Sequence, residues 1–458
     1  MTITTINLAD IKPAPYNPRV IREKQFEMLK QSVTELGVIM PILINSKNDT
    51  LIAGHQRTKA MQAVGIIHAP AVLINGIEIG DEIKFNQLHN AIEKEPNTLA
   101  TCHVQNAEGF EMLSHKDFDV PESNPVFVRE ICQLLTKYGN SLSCIVCENV
   151  VYMGNNYVKA CKLLNLDVLT YHLPKEKLEI FQKYFSADYG EYNYERIKRD
   201  TFVQGMAQLH RSIDRTDGKR ENRSRLYEHH ILPYLTDKDK NMTIFDFGCG
   251  KATYINMLAK TFKNAIGLEF FNNNGSEIIV DKGHNMIDRL LLRLKKNPQF
   301  DLVICDSVLN SVDSQKAEDS ILGCLNLFCK PGGTLFISGR TIEAIERRHR
   351  MQRDATTGKR FLEFTDSEGL TGNFRKGKWY FQKYHKRDKL EKALHDYGFE
   401  IEKITWAVGN DGFYVKAKKV HDLPKQKYID AVTFEFNLPL PNDKSYNRHK
   451  DVLEVLGL

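Results

Sequence analysis

The run MTIFDFGCGKATYINMLAK places Asp246, Gly248 and Gly250 where a buried strand must turn sharply into a helix and leave its backbone open to a ligand. Nineteen residues after Gly250, the strand-like NAIGLEFF ends in Glu269, a carboxylate suited to accepting hydrogen bonds from ribose hydroxyls. This spacing suits any nucleotide-binding α/β site, including that of a dinucleotide dehydrogenase. The third glycine of GxGxxG is missing from GCGKAT, however, which weakens a pyrophosphate site. Further along, FDLVICDSVLNSV carries a strand into a loop that holds Asp306, Ser307 and Asn310. A second candidate lies in LIAGHQRTKA, where a strand, Gly54 and a helix aim backbone N–H groups, His55 and Arg57 at one point that would attract a phosphate.

The elements that must position these residues follow from periodicity. FEMLKQSVTELG puts Phe26, Leu29, Val33 and Leu36 on one helical face and stops at Gly37. PILINSK and TLIAG read as strands joined by a turn at Asn48 and Asp49, HQRTKAMQAVG as a helix, and APAVLI as a strand. One hundred residues later VYMGNNYVKA repeats the glycine, lysine and alanine of LIAGHQRTKA, with Ile131, Leu135 and Gly139 spaced as Leu29, Val33 and Gly37. There Tyr157 replaces Arg57, which keeps the shape and removes the charge. We therefore expect the first copy to be the ligand site and the second to be structural, with coincidence among strand-glycine-helix units as the alternative. Residues 174–231 read as a polar helical connector rich in Arg and Tyr, and 421–458 as a tail ending in a short helix.

At 458 residues the chain is too long for one ordinary core, which predicts two or three domains. Its 42% hydrophobic and 26% charged content is that of a soluble globular protein. No apolar run approaches a membrane span, and MTITTINLADIKPAP lacks a basic segment followed by an apolar one, so a cytoplasmic protein without membrane contact is expected. Nine scattered cysteines argue against a disulfide framework, and the Cys144/Cys147 pair, inside a strand-like run with no partner pair, reads as core rather than a metal site. The net charge of +5 is uneven: Arg340 to Lys389 carries fourteen Lys and Arg against seven Asp and Glu. Within 339–398, Arg347, Arg348, Arg350, Arg353, Arg375, Lys376 and Lys378 interleave with aromatics such as Trp379, a pattern that suits single-stranded or flipped-out nucleic acid. A lid with solvated charges is the competing explanation.

YNPR at Tyr16, the helix ending ELG, PILI, GHQRTKA and LHNAIE together resemble the ParB/sulfiredoxin-like domain over residues 1–93. The resemblance implies a nucleoside triphosphate site at Gly54, His55 and Arg57, with Asn90 at the position of a metal-assisting asparagine. His55 and Gln56 depart from the GERR pattern, and Glu93 stands where an arginine is expected, so binding is implied more than hydrolysis. Residues 94–173 would hold a linker and a degenerate second ParB-like unit. The glycine turn, Glu269, the PGG before a strand and the closing hairpin GFEIEKITWAVGNDGFYVKAKK resemble strands one, two and four to seven of class I S-adenosylmethionine-dependent methyltransferases over 232–420.

The fold class expected is therefore α/β, an α+β ParB-like domain with its worn copy, a helical connector and a Rossmann-like methyltransferase sheet. By motif position Asp246, Gly248, Gly250, Glu269, Asp306 and Ser307 would bind S-adenosylmethionine, and Asp306 and Asn310 would serve the reaction. The assembly is similar to ParB-methyltransferase fusions of plasmids, phages and defence-linked gene clusters. Such a protein would methylate nucleic acid, DNA first, with the ParB-like part responding to nucleotide or DNA and a homodimer compatible with the chain. Neither a (D/N/S)PP(Y/F/W) motif nor a Pro-Cys nucleophile is present, so a non-enzymatic DNA-associated regulator built on the same scaffold stays open.

Overall fold

A computed structural model of the chain describes residues 3–90, 100–185, 191–194, 197, 223–273, 277–344, 365–375, 377–407, 412–440 and 444–458. They fall into two compact units, one drawn mainly from Met1–Lys198 and the other mainly from Arg199–Met351 and Lys378–Leu458.

The first unit opens with β1 (Thr4–Asn7), β2 (Lys12–Pro13), α1 (Glu23–Leu36), β3 (Ile42–Asn45), β4 (Thr50–Ala53), α2 (His55–Ala63), β5 (His68–Ile74) and α3 (Ile79–Asn90). The sheet order is β1-β5-β3-β4-β2. Leu29, Val33 and Leu36 of α1 are buried, as their spacing requires, and Gly37 takes φ 73° and donates its N–H to Val33 O. A second lobe follows: β6 (Thr101–Cys102), β7 (Gly109–Leu113), β8 (Phe118–Asp119), α4 (Pro125–Tyr138), β9 (Cys144–Cys147), β10 (Val150–Met153), α5 (Asn155–Leu164) and β11 (Val168–His172), in sheet order β7-β11-β9-β10-β6-β8.

The topology of the two lobes corresponds strand for strand over their centres. β9 runs parallel to β11 and antiparallel to β10, as β3 runs parallel to β5 and antiparallel to β4, and both hairpins carry an irregularity at the equivalent place. Each hairpin then turns into its helix through a left-handed glycine, Gly54 at φ 99° and Gly154 at φ 92°. β6 departs from this correspondence, since it pairs antiparallel with β10 where β2 pairs parallel with β4.

The expected division near residue 93 is not a division between cores. Ile77, Phe85 and Leu88 share one apolar cluster with Ile131, Leu134 and Tyr138, and Tyr138 Oη donates to Asp81 at 2.6 Å. Nor is the connector helical throughout. Glu191–Tyr192 forms a short strand paired with Arg19–Val20, and Tyr194 is fully buried.

In the second unit a π-helical turn, Tyr227–Ile231, leads through Leu232–Leu235 to β12 (Ile244–Phe247), α6 (Thr253–Ala259), β13 (Ala265–Leu268), α7 (Val280–Leu294), β14 (Phe300–Asp306), α8 (Gln315–Phe328) and β15 (Cys329–Arg340). The hairpin strands β16 (Leu370–Arg375) and β17 (Lys378–Lys383), α9 (Arg387–Asp396), β18 (Phe399–Ala407), β19 (Gly412–Lys419), α10 (Lys425–Glu435) and α11 (His449–Leu456) follow. The main sheet runs β13-β12-β14-β15-β19-β18, and β19 alone runs opposite to the rest, pairing antiparallel with both β15 and β18.

From β12 the chain passes outward to β13 and then returns to β14 on the other side, so the strand order reverses at β12. Ligands in doubly wound sheets bind at such a crevice, beyond the carboxyl ends of the strands. The expected Pro331-Gly332-Gly333 turn lies inside β15 as an irregularity, since Phe300 pairs with Cys329 and Leu302 with Thr334.

Candidate cofactor and phosphate sites

At the carboxyl end of β12, Gly248 adopts φ 80°, and a Cβ there would stand 2.3 Å from Val308 Cγ2. Only glycine fits that crossing. Gly250, at φ 58°, faces open space instead, and its N–H donates to Glu269 Oε2 at 2.8 Å. Glu269 Oε1 accepts from Phe271 N–H at 2.8 Å, so this buried carboxylate braces the glycine turn against the end of β13. Burial raises its pKa, against the lowering effect of these backbone donors. Each carboxylate oxygen retains a further acceptor position for a ribose hydroxyl.

Asp246 is 3% exposed. Tyr227 Oη donates to its Oδ2 at 2.6 Å, and its Oδ1 meets no donor among the described residues. Burial, with the nearby charges of Asp306 and Glu269, lifts its pKa to about 8, although the Tyr227 bond acts in the opposite direction. A buried acceptor without a partner costs about 1–3 kcal/mol. An ammonium placed at Oδ1 would relieve that cost, so the donor set fits the amino acid end of S-adenosylmethionine. Tyr227 is itself stacked on Tyr254, with ring centroids 4.3 Å apart.

At the end of β14, Ser338 Oγ donates to Asp306 Oδ1 at 2.5 Å and accepts from Ser307 N–H at 3.0 Å. Ser307 takes φ 60°, an uncommon backbone conformation for serine, directly after the strand. Asn310 is buried in the following turn, and its Oδ1 has no partner among the described residues. The structure thus gathers Asp246, Gly248, Gly250 and Glu269 around one turn, with Asp306 and Ser307 ending the strand beside it.

The charged insertion gives a different result. Arg347, Arg348, Arg350, Arg353 and Lys376 lie outside the described residues, and only the backbone positions of Arg375 and Lys378 are described. Trp379 corrects the expectation of an exposed stacking face: it is 3% exposed and stacks on Phe381 at 5.8 Å, because β17 turns it into the interior. The hairpin is fastened to α8 by a buried ion network in which Glu318 accepts from Lys383 Nζ and lies 2.7 Å from His385 Nε2.

In the first unit, the helix α2 starts at the Gly54 turn, whose Cβ would stand 2.7 Å from Ile42 Cγ2. Arg57 points inward: its Nη1 donates to Met40 O at 2.9 Å and its Nη2 lies 3.3 Å from His89 Nε2. Burial lowers the arginine pKa to about 10 and that of His89 to about 3, so at neutral pH a charged guanidinium faces a neutral imidazole. His55 Nε2 accepts from Ala14 N–H at 3.2 Å, a structural use of a residue expected to meet phosphate. Asn90 ends α3, with its backbone alone described. One turn earlier Asn86 is fully buried and donates to Ile52 O at 2.7 Å, so Asn86 is the asparagine this helix directs toward β4. At the equivalent of Arg57, Tyr157 is buried, with its hydroxyl accepting from Leu169 N–H at 2.9 Å and donating to Asn140 Oδ1.

Tyr227, Ser338 and Asn86 were not singled out from sequence. Tyr227 lies in the Arg- and Tyr-rich connector, where nothing local sets it apart, and Ser338 acts only through its register with Asp306.

Among the described residues no cluster of His, Cys, Asp and Glu could hold a metal ion, and no helix is long and apolar enough to cross a membrane.

The chain carries a ParB-type region at its N-terminus and a methyltransferase-type region in its second unit. Residues 1–89 match the ParB N-terminal domain family and residues 220–404 match a methyltransferase domain family. A probable chromosome-partitioning protein ParB of Helicobacter pylori is 28% identical over 140 residues, covering 29% of this chain and 48% of that protein. This chain therefore spans about half of that relative. Stage 0 sporulation protein J of Bacillus subtilis is 23% identical over 298 residues, covering 61% of this chain and 90% of that protein. A solved S-adenosylmethionine-dependent methyltransferase from Clostridium acetobutylicum aligns at 14% identity, covering 42% of this chain and 89% of that one, with a TM-score of 0.29.

Proposed function

We propose that this chain is an active S-adenosylmethionine-dependent methyltransferase whose acceptor is nucleic acid, with DNA as the first candidate. The observation that carries the cofactor assignment is the buried, unpartnered Oδ1 of Asp246 at the head of a glycine turn braced by Glu269. Asp246 would hold the ammonium, Glu269 the ribose hydroxyls, and the open space beside Gly250 would admit the chain between them. The bound cofactor supplies an electrophilic sulfonium methyl, and the protein's task is to align a nucleophile with it. Asn310 Oδ1 would orient an acceptor N–H, and Asp306, held by Ser338, would receive a proton where the nucleophile carries one.

The ParB-type part is read as a nucleotide- or DNA-responsive module, with a nucleoside triphosphate at Gly54 and Arg57. Breaking the Arg57 bond to Met40 O would be part of binding it. The second lobe is read as a worn copy of the first, which its strand pairing and matching glycine turn support. The regulator reading has one observation in its favour, the DSVL sequence where amino-methylating DNA enzymes carry two prolines.

The test is transfer of a radiolabelled methyl group to panels of single- and double-stranded DNA and RNA. Incorporation into nucleic acid that is abolished in D246A is expected. A protein that binds S-adenosylmethionine and labels none of the panel would remove the acceptor assignment. Arg57→Ala is expected to abolish nucleotide binding, read by titration of nucleoside triphosphates, and equal affinity in both proteins would remove the phosphate site.

A further inference from the structure

Asp246 pairs in register with Ile304, Ile304 with Phe336, and Asp306 with Ser338. Since side chains on a strand alternate between faces, Asp246, Asp306, Ser338 and Arg340 share one face of the sheet. They form a line across the carboxyl ends of β12, β14 and β15. Neighbouring strands lie about 4.8 Å apart, so β15 stands roughly 10 Å from β12, on the side away from Glu269. The amino acid and ribose positions fall at β12 and β13. A side chain at the end of β15 therefore belongs to the acceptor's half of the crevice.

Arg340 is half-buried at that end. Its Nη1 has two long contacts, 3.4 Å to Gln382 Oε1 and 3.5 Å to Tyr384 Oη, and Tyr384 Oη itself donates to the same Gln382 oxygen at 2.8 Å. Among the described residues no carboxylate pairs with it, and its Nε and Nη2 meet no acceptor. Gln382 and the fully buried Tyr384 are fixed in place because Lys383 and His385, which alternate with them, are tied to Glu318. A guanidinium steered from one side, with its remaining donors unspent, is the arrangement that receives an oxyanion on two parallel N–H bonds.

We propose that Arg340 binds a backbone phosphate of the nucleic acid that is methylated, setting the acceptor nucleotide over the end of β14. The proposal rests on the nucleic-acid reading above and names the residue that anchors that substrate. Gln382 and Tyr384 act as positioning residues for the guanidinium.

The experiment measures binding of a short fluorescein-labelled single-stranded DNA to the full chain with S-adenosylhomocysteine present, at several salt concentrations. Wild type, R340Q and R340K are compared, and a calorimetric titration of S-adenosylmethionine checks that each variant is folded. R340Q is expected to bind the DNA about fivefold or more weakly and to lower the slope of log K against log salt by about one, with R340K between. On an oligonucleotide bearing neutral methylphosphonates the wild type and R340Q should converge. R340Q binding with unchanged affinity and slope, beside a wild type that binds well, overturns the role of Arg340 alone. A wild type that binds the cofactor but neither binds nor methylates DNA or RNA overturns the nucleic-acid reading and this proposal together.

Discussion

Asp246 is buried with one oxygen bonded to Tyr227 and the other without a partner among the described residues. Its folded pKa of about 8 stands above the ordinary aspartate value of 3.8, so the folded state favours the protonated form. Pairing with an ammonium needs the ionised form. Affinity for S-adenosylmethionine is therefore expected to rise by up to about tenfold per pH unit below 8 and to level off above it. Asp246→Asn should flatten that profile, which titrations at several pH values would show. The same raised pKa makes ionisation of Asp246 costly to folding as pH rises from 3.8 toward about 8, so at alkaline pH Asp246→Asn should unfold at a higher denaturant concentration than the wild type. Tyr227→Phe removes a donor that favours the ionised form, and it is expected to weaken cofactor binding about tenfold at neutral pH while moving the rise to higher pH. An unmoved pH profile in this variant would make Tyr227 a packing residue only.

At the scale of elements, the strand-glycine-helix unit recurs three times with three outcomes. In the second unit Gly248 crosses Val308 closely and Gly250 stays open, which leaves room for a ligand; Gly248→Ala is expected to abolish cofactor binding, because both its positive φ and the 2.3 Å approach forbid a methyl group. At Gly54 the helix presents an arginine, and at Gly154 a tyrosine whose hydroxyl serves Leu169 N–H and Asn140. Tyr157→Phe should lower stability by about 1–3 kcal/mol in chemical denaturation and leave nucleotide binding unchanged. A loss of nucleotide binding in that variant would contradict the structural role. These units were legible in sequence because a strand, a glycine and a helix are all specified within about twenty residues. The inward aim of Arg57 was not legible, since Met40 and His89 reach it from other elements.

Over the whole molecule, what the sequence concealed is what distant segments share. The tail, in which the sequence shows only a closing short helix, supplies Phe436, Leu440, Tyr446 and Val452 to the main core of the second unit, and Tyr446 Oη donates to Phe270 O, beside Glu269. Removing residues 421–458 is therefore expected to abolish cooperative unfolding of this unit and its cofactor binding together, as calorimetry would show. A shortened chain that still binds S-adenosylmethionine normally would make the tail dispensable. The strand Glu191–Tyr192 escaped detection for a related reason: two residues carry no period, and their partner Arg19–Val20 lies far away in the chain. The class of the second unit was legible because its signature is local to the carboxyl ends of successive strands. The most direct test of the account is a calorimetric titration of S-adenosylmethionine into the wild type and into Asp246→Ala. Saturable binding that is lost in the folded variant is the result expected, and a well-folded wild type that binds none would contradict the assignment of this crevice.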